Sequence, residues 1–167
     1  MSREPHRNGG FRGARGQSLV EFALLFPVLI LLLFGIVDLG RGVYAYNTVD
    51  NAARQGARVA AVNQIQTSPD CDQSRPIENP ADPHWSIKTC AAVAAYSLGV
   101  TAGDVAVTYF PPPGNALLTC SPTLHVGCIA KVTVQHTFRA ATPIIGNLVG
   151  DIALSSTAEI PIERVFP

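Results

Sequence analysis

Leu19-Val20-Glu21-Phe22-Ala23-Leu24-Leu25-Phe26-Pro27-Val28-Leu29-Ile30-Leu31-Leu32-Leu33-Phe34-Gly35-Ile36-Val37 carries one charge, Glu21, in 19 positions. As a helix this run spans about 28 Å, close to the hydrocarbon thickness of a bilayer. The expectation is a single transmembrane helix over residues 19–37. A secretory signal peptide is the plainer alternative, but its apolar core is only about 7–15 residues long and ends in a small-residue cleavage site. Here Asp38-Leu39-Gly40-Arg41-Gly42 and more helix-forming sequence follow, with no Ala-x-Ala site near Val37. A retained anchor is preferred.

Charge on either side of the run sets the expected orientation. Residues 1–16 hold Arg3, Arg7, Arg12 and Arg15 against Glu4, a net of +3 in a chain whose formal net charge is zero. Only Arg41 and Arg54 lie in the 20 residues after the run. Lys/Arg bias of this kind leaves the N-terminus in the cytoplasm and sends the C-terminal part across the membrane. The translocated part, 64–167, holds eight acids and five bases.

Residues 1–16 are polar, rich in Gly and Arg, and aperiodic, which reads as a disordered leader. Helical sequence then outlasts the membrane. Val49, Ala52, Ala53, Gly56 and Ala60 recur at three- and four-residue steps and mark one stripe, and Asp50 and Arg54 are i,i+4 partners. Unbroken, residues 17–63 make a rod of about 70 Å, which Gly35, Gly40 and Gly42 could bend near the membrane surface. The small residues either fill space as good helix formers or let another helix approach closely, as Ala52-x-x-x-Gly56-x-x-x-Ala60 would. Tyr44 and Tyr46 sit where amphipathic rings rest at a bilayer interface.

Beyond the rod, Asn63–Ile87 is proline-rich and expected to be loop, with Trp85 packing it onto the core. Residues 86–98 read as a short helix with Ser86 as cap, Ile87, Cys90, Ala91, Ala94 and Leu98 inward, and Gly99 as the stop. Alternation then predicts strands at Val105–Tyr109, Ile129–Phe138 and Ile152–Ile162. Pro111-Pro112-Pro113-Gly114 closes the first, and Pro161 confines the last to an edge or strand end. The fold class expected is α+β: a long N-terminal helix and an extracytoplasmic head, 64–167, with a short helix and a three- to four-stranded antiparallel sheet.

Cys71, Cys90, Cys120 and Cys128 all fall in the head. An even count in an oxidising compartment reads as two disulfides, with three pairings possible. The sequential pairing, Cys71–Cys90 and Cys120–Cys128, closes the shortest loops. Zinc on Cys120, His125 and Cys128 is the rival, with no fourth ligand evident.

Glu21 needs a partner or a proton, because an ionised carboxylate in hydrocarbon costs several kcal/mol. It can reach back to the headgroups or to Arg15. The spacing Gly16-Gln17-Ser18-Leu19-Val20-Glu21-Phe22 offers more. A cut after Gly16, where no side chain obstructs a peptidase, makes Gln17 a new amino terminus and Glu21 the fifth residue. That carboxylate could pair with the new amine or with a neighbouring subunit's.

These residues resemble the processing site of type IV prepilins. Three blocks in order, Arg15-Gly-Gln-Ser-Leu-Val-Glu-Phe-Ala-Leu-Leu-Phe-Pro-Val-Leu, Gly35-Ile-Val-Asp-Leu-Gly-Arg41 and Asn51-Ala-Ala-Arg-Gln-Gly-Ala-Arg58, are similar to the TadE-like family. These are the minor pilins or pseudopilins of the tight-adherence (Flp) pilus system. The resemblance covers residues 15–60, with a fainter echo in Ser155–Glu163. It implies a pilin-like fold, a scissile bond between Gly16 and Gln17, and an assembly role for Glu21, Phe22 and Pro27. It also implies a boundary motif at Asp38, Gly40 and Arg41, and a helix-packing block at Ala53, Arg54, Gly56, Ala57 and Arg58. The four-cysteine, proline-rich head departs from the pattern.

The function expected is a non-catalytic pilus-assembly component in the plasma membrane. Its partners would be a prepilin peptidase, other pilins or pseudopilins, the pilus-assembly membrane complex and the lipid bilayer. No cofactor is expected. The alternative is an extracytoplasmic binding module on an uncleaved anchor. An enzyme built from His84, His125 or His136 with Ser121 or Asp104 lacks any nucleophile-elbow, metal or glycine-loop context. An acidic head without a basic aromatic surface argues against nucleic acid.

Overall fold

The computed structural model describes residues 12–62, 71, 85–115, 118–120, 124–142, 146–147 and 149–165, with Arg12–Arg15 and Trp85 as backbone only. Helix α1 runs unbroken over Arg12–Val62, about 76 Å of helix. It begins five residues before the expected start at residue 17, so the last part of the basic leader is helical rather than disordered. The rest of the leader and most of the 63–84 linker lie outside the described residues. Pro27 sits within α1 without ending it. Helix α2, Trp85–Ala94, is followed by a tight 3₁₀ turn at Tyr96–Leu98, and Gly99 closes it in the left-handed conformation at φ 74°. Ser86 is buried inside α2, one residue past its start, and is therefore not the cap expected from the sequence. Where Trp85 packs lies outside the described side chains.

Three strands follow: β1 Val105–Phe110, β2 Ile129–Phe138 and β3 Ile152–Pro161. They form one antiparallel sheet in the order β1-β2-β3. Val105 pairs with Val134, and Val132 with Ala158. The register stacks the apolar positions of all three strands on one face, as period-two alternation requires. The other face meets water. There Lys131 pairs with Glu159 at 3.3 Å and Thr133 bonds Thr157 at 3.1 Å.

The two helices cover the apolar face. The second half of α1 lies against β2 and β3, and α2 packs beside it against β1. Ala45, Val49, Ala52, Ala53, Ala57, Ala60 and Ala61 are buried, together with Ile87, Ala91, Val105, Val132, Val134 and Ile162. The stripe expected from spacing is thus the seam of the head. Its smallest member, Gly56, is the tightest point. A methyl group there would stand 2.9 Å from Val132 Cγ1 and 3.1 Å from Ala91 Cβ. The close helix approach that small residues permit is therefore made by α2 of the same chain.

The strands run lengthwise along α1. At one end the Phe138 ring lies 3.7 Å from where a Gly42 side chain would begin. At the other, the Glu163 amide donates to the Ala61 carbonyl at 3.0 Å, satisfying one of the carbonyls a helix end leaves open. Disulfides link Cys71 to Cys90 and Cys120 to Cys128, with Cα separations of 5.2 Å and 5.9 Å. The first ties residue 71 to α2, and the second closes the loop that feeds β2. The second bond also uses both sulfurs that a zinc site would need.

Gly56→Leu drives four carbons into Val132 and Ala91. It should destabilise the head by about 1–3 kcal/mol through overpacking, despite leucine's better helix propensity. Denaturant unfolding followed by near-ultraviolet circular dichroism in detergent measures this. An unchanged midpoint would mean that the seam is looser than it looks.

Candidate functional site

The apolar half of α1 and its boundary carry the residues singled out by sequence. Leu19, Phe22, Leu24, Leu25, Val28, Leu29, Leu32 and Ile36 are all exposed, and none of the most apolar 18-residue window is buried by the protein. A core helix would be covered. This one is long and apolar enough to cross a membrane and carries its greasy surface outward. Gly16 and Gln17 lie within the helix, exposed, and nothing comes within 4 Å of the space a Gly16 side chain would occupy. Glu21 points outward from the same segment, and none of the described residues holds it by a hydrogen bond or ion pair. The side chain of Arg15, one candidate partner, lies outside the described atoms. Phe22 and Phe26, one turn apart, bring their rings to 5.4 Å. The structure therefore gathers Gly16, Gln17, Glu21, Phe22 and Pro27 on one exposed segment, and none of the described residues outside α1 covers them.

Asp38 is the opposite case. It is the first residue after the apolar run and only 6% exposed. Its carboxylate accepts the amides of Ala141 and Thr142, each at 3.0 Å, and the Thr142 hydroxyl at 2.5 Å. Arg41, one turn on, donates from Nη1 at 3.3 Å. One acid thus ties the β2–β3 connection to the helix across more than 100 residues of sequence. Two backbone amides and a hydroxyl satisfy a carboxylate without requiring an equal buried charge. Gly40 faces open space, while Gly42 abuts Phe138. The Arg41 guanidinium lies 5.8 Å from the Phe138 ring centre, within cation–π range.

A second clamp closes the neck of the same connection. Arg139 donates from Nε to Asp151 Oδ1 at 2.6 Å and from Nη2 to Oδ2 at 2.8 Å. These bonds and the adjacent charge hold the Asp151 carboxyl below its ordinary 3.8 and raise the Arg139 guanidinium. The bridge is complete above that ordinary value and is lost as pH falls through the lowered one, so mild acid leaves it closed.

The packing block divides by face. Ala53, Gly56 and Ala57 are buried in the seam, whereas Arg54 and Arg58 are exposed. Arg54 holds Asp50 at 2.9 Å, the i,i+4 pair expected, and Asp50 also accepts the Ser156 hydroxyl at 2.9 Å. Sequence reasoning gave Asp38 a place in a boundary motif but not its ligands. The signal was an acid at the first position past an apolar run, where it must find donors or remain at the water surface. Of the groups weighed for an enzyme, His84 and Ser121 lie outside the described residues. Asp104 is occupied in a capping box with Thr101, whose hydrogen bonds lower its pKa. Among the described residues no three His, Cys, Asp or Glu side chains gather as a metal site.

Residues 16–58, about a quarter of the chain, match the family model described as TadE-like protein. Most of α1 is thus similar to TadE-like proteins, consistent with the TadE/TadG-type pilin family. No curated protein and no solved structure matches the chain. The match opens at Gly16, includes Asp38 and closes at Arg58, so the loop that saturates Asp38 lies outside it.

Asp38→Ala should release Ala141 and Thr142. Their amides are expected to exchange with solvent about tenfold faster or more, while Val132 and Val134 at mid-sheet keep their protection. Hydrogen exchange with fragment-level readout checks this. Unchanged exchange at 141–142 would show that the loop is held by other contacts.

Proposed function

We propose that the chain is a minor pilin-like, or pseudopilin, component of a tight-adherence (Flp) pilus assembly, structural and non-catalytic. A prepilin peptidase cuts between Gly16 and Gln17 at the cytoplasmic face. The mature protein is a single-pass protein of the bacterial plasma membrane with its head outside. Its partners are other pilins or pseudopilins and the pilus-assembly membrane complex. The observation that carries this reading is the register of the family match. It begins at the glycine five residues before Glu21, and the apolar run of residues 19–37 behind that point is left uncovered by the rest of the protein.

Charge and geometry support each step. Four arginines precede the span, favouring an inside N-terminus. Gly16 lies one turn from the start of α1, and glycine weakens a helix interior by about 1 kcal/mol relative to alanine. The backbone at the cut therefore opens at low cost. Cleavage creates a cation at Gln17, next to the exposed Glu21. In a bundle of such helices the carboxylate of one chain and the amine of another would neutralise each other at the membrane edge.

Sequencing the amino terminus of the membrane-extracted protein decides the first step. The expected start is Gln17, with Gly16→Leu leaving the longer precursor in the membrane. A start near Asp38 would mean ordinary signal-peptide removal, and an uncut chain would favour the binding module on a retained anchor. Glu21→Ala should insert normally, since alanine is cheaper in hydrocarbon than a carboxylate. Its recovery in purified pilus-assembly complexes should drop roughly tenfold or more if it pairs across subunits. Equal recovery with normal piliation would refute the pairing.

A further inference from the structure

We propose that the apolar surface where α1 meets the β2–β3 connection, formed by Leu39, Val43, Val149 and Ile152, is a second membrane contact: it lies in the interfacial layer of the leaflet from which α1 emerges. These four side chains sit among the acyl chains, with the Arg139–Asp151 pair at headgroup depth. The inference rests on reading residues 19–37 as the span.

Position comes first. The bonds from Ala141 and Thr142 to Asp38 fix the connection at the level of the last apolar residue of the span, Val37. Composition is the second point. Residues 140–150 read Ala-Ala-Thr-Pro-Ile-Ile-Gly-Asn-Leu-Val-Gly and contain no charge. Two of their amides are satisfied within the segment, Gly146 donating to Thr142 at 2.7 Å and Gly150 to Gly146 at 2.9 Å. Backbone that bonds itself in helical i→i−4 steps is the kind an interface tolerates.

Surface is the third point. An apolar groove of about 480 Å³ lies between α1 and this connection, lined by Leu39, Val43, Phe138, Val149, Ile152 and Leu154 among others. Leu39, Val43, Val149 and Ile152 are 69%, 53%, 55% and 41% exposed. This surface is continuous with the uncovered face of the span, so in a membrane it meets lipid first. Charge is the fourth. Arg41 and Arg139 border the neighbouring pocket beside Phe138, and each is paired, Arg41 with Asp38 and Arg139 with Asp151. Charges neutralised in this way lower the cost of bringing the rim to the membrane surface.

Bromine on lipid acyl chains quenches tryptophan by contact. The test uses the full chain in phospholipid vesicles with bromine placed high on the acyl chains, subtracting Trp85 emission with the parent protein. Val149→Trp and Ile152→Trp, both at exposed positions, should be quenched to within about twofold of Leu29→Trp in the span. Val126→Trp lies about 40 Å away, at the far end of the sheet, and should be unaffected. Quenching of Leu29→Trp without quenching at 149 and 152 would overturn the proposal alone. Failure at Leu29→Trp as well would overturn the anchoring it rests on. Shielding at 149 that appears only as the protein-to-lipid ratio rises would assign the groove to a second copy and also overturn it.

Discussion

The core of the head depends on how closely α1 can be approached between Ala45 and Ala61. Six alanines and one glycine on that face, with Val49 the largest side chain among them, reduce the helix there to little more than backbone. Two layers then come within van der Waals reach at once, α2 from one side and the β2–β3 ladder from the other. A single larger residue at Gly56 would push both away, because Val132 and Ala91 meet the same point. The core is therefore thin in volume but tight in contact, and each added methylene is costly. Disulfides compensate where the layers are smallest: an entropic constraint on the unfolded chain adds about 2–4 kcal/mol per bond without needing core volume.

Asp38 performs a different task at the other end of the same helix. Hydrophobic packing is non-directional and fixes a depth along α1 only loosely. Hydrogen bonds to two consecutive amides and a hydroxyl fix it to within tenths of an ångström. Asp38 thereby sets where the head ends and the bare span begins. Glu21, seventeen residues earlier on the same helix, has no such ligands among the described residues. The two acids of the apolar region are thus one satisfied inside the chain and one left for something outside it.

What the sequence made legible follows from interaction range. The stripe from Val49 to Ala60, the alternation in β2 and β3 and the Asp50–Arg54 pair are local patterns, and each stands in the structure at its expected position. The antiparallel sheet and the long helix follow from them. The start of α1 did not, because glycines and arginines at 12–16 have no apolar periodicity and take their helicity from the turn behind them. The start of α2 was missed by one residue because serine is as common at a cap as it is tolerable one position inside. Apart from Arg41, one turn on, the ligands of Asp38 could not be read at all. They lie 103 and 104 positions away, in a connection with no periodicity, and two of the three are backbone amides, which no residue type announces.

These constraints bear on how such a chain could change partners. The seam of the head is filled, so a neighbouring subunit cannot use Ala52, Gly56 or Ala60 without displacing α2. In the pilin-like reading proposed above, a neighbouring helix would meet the surface before Asp38, whose apolar side chains the protein itself leaves uncovered. Lipid and protein are nearly equivalent solvents for leucine, so that exchange gains little from hydrophobicity and must be driven by packing and polar pairing. Glu21 is the only charged side chain on the span able to supply such pairing. A carboxylate that is costly in lipid and cheap opposite an amine biases the helix toward company of one kind, and this bias needs nothing from the head.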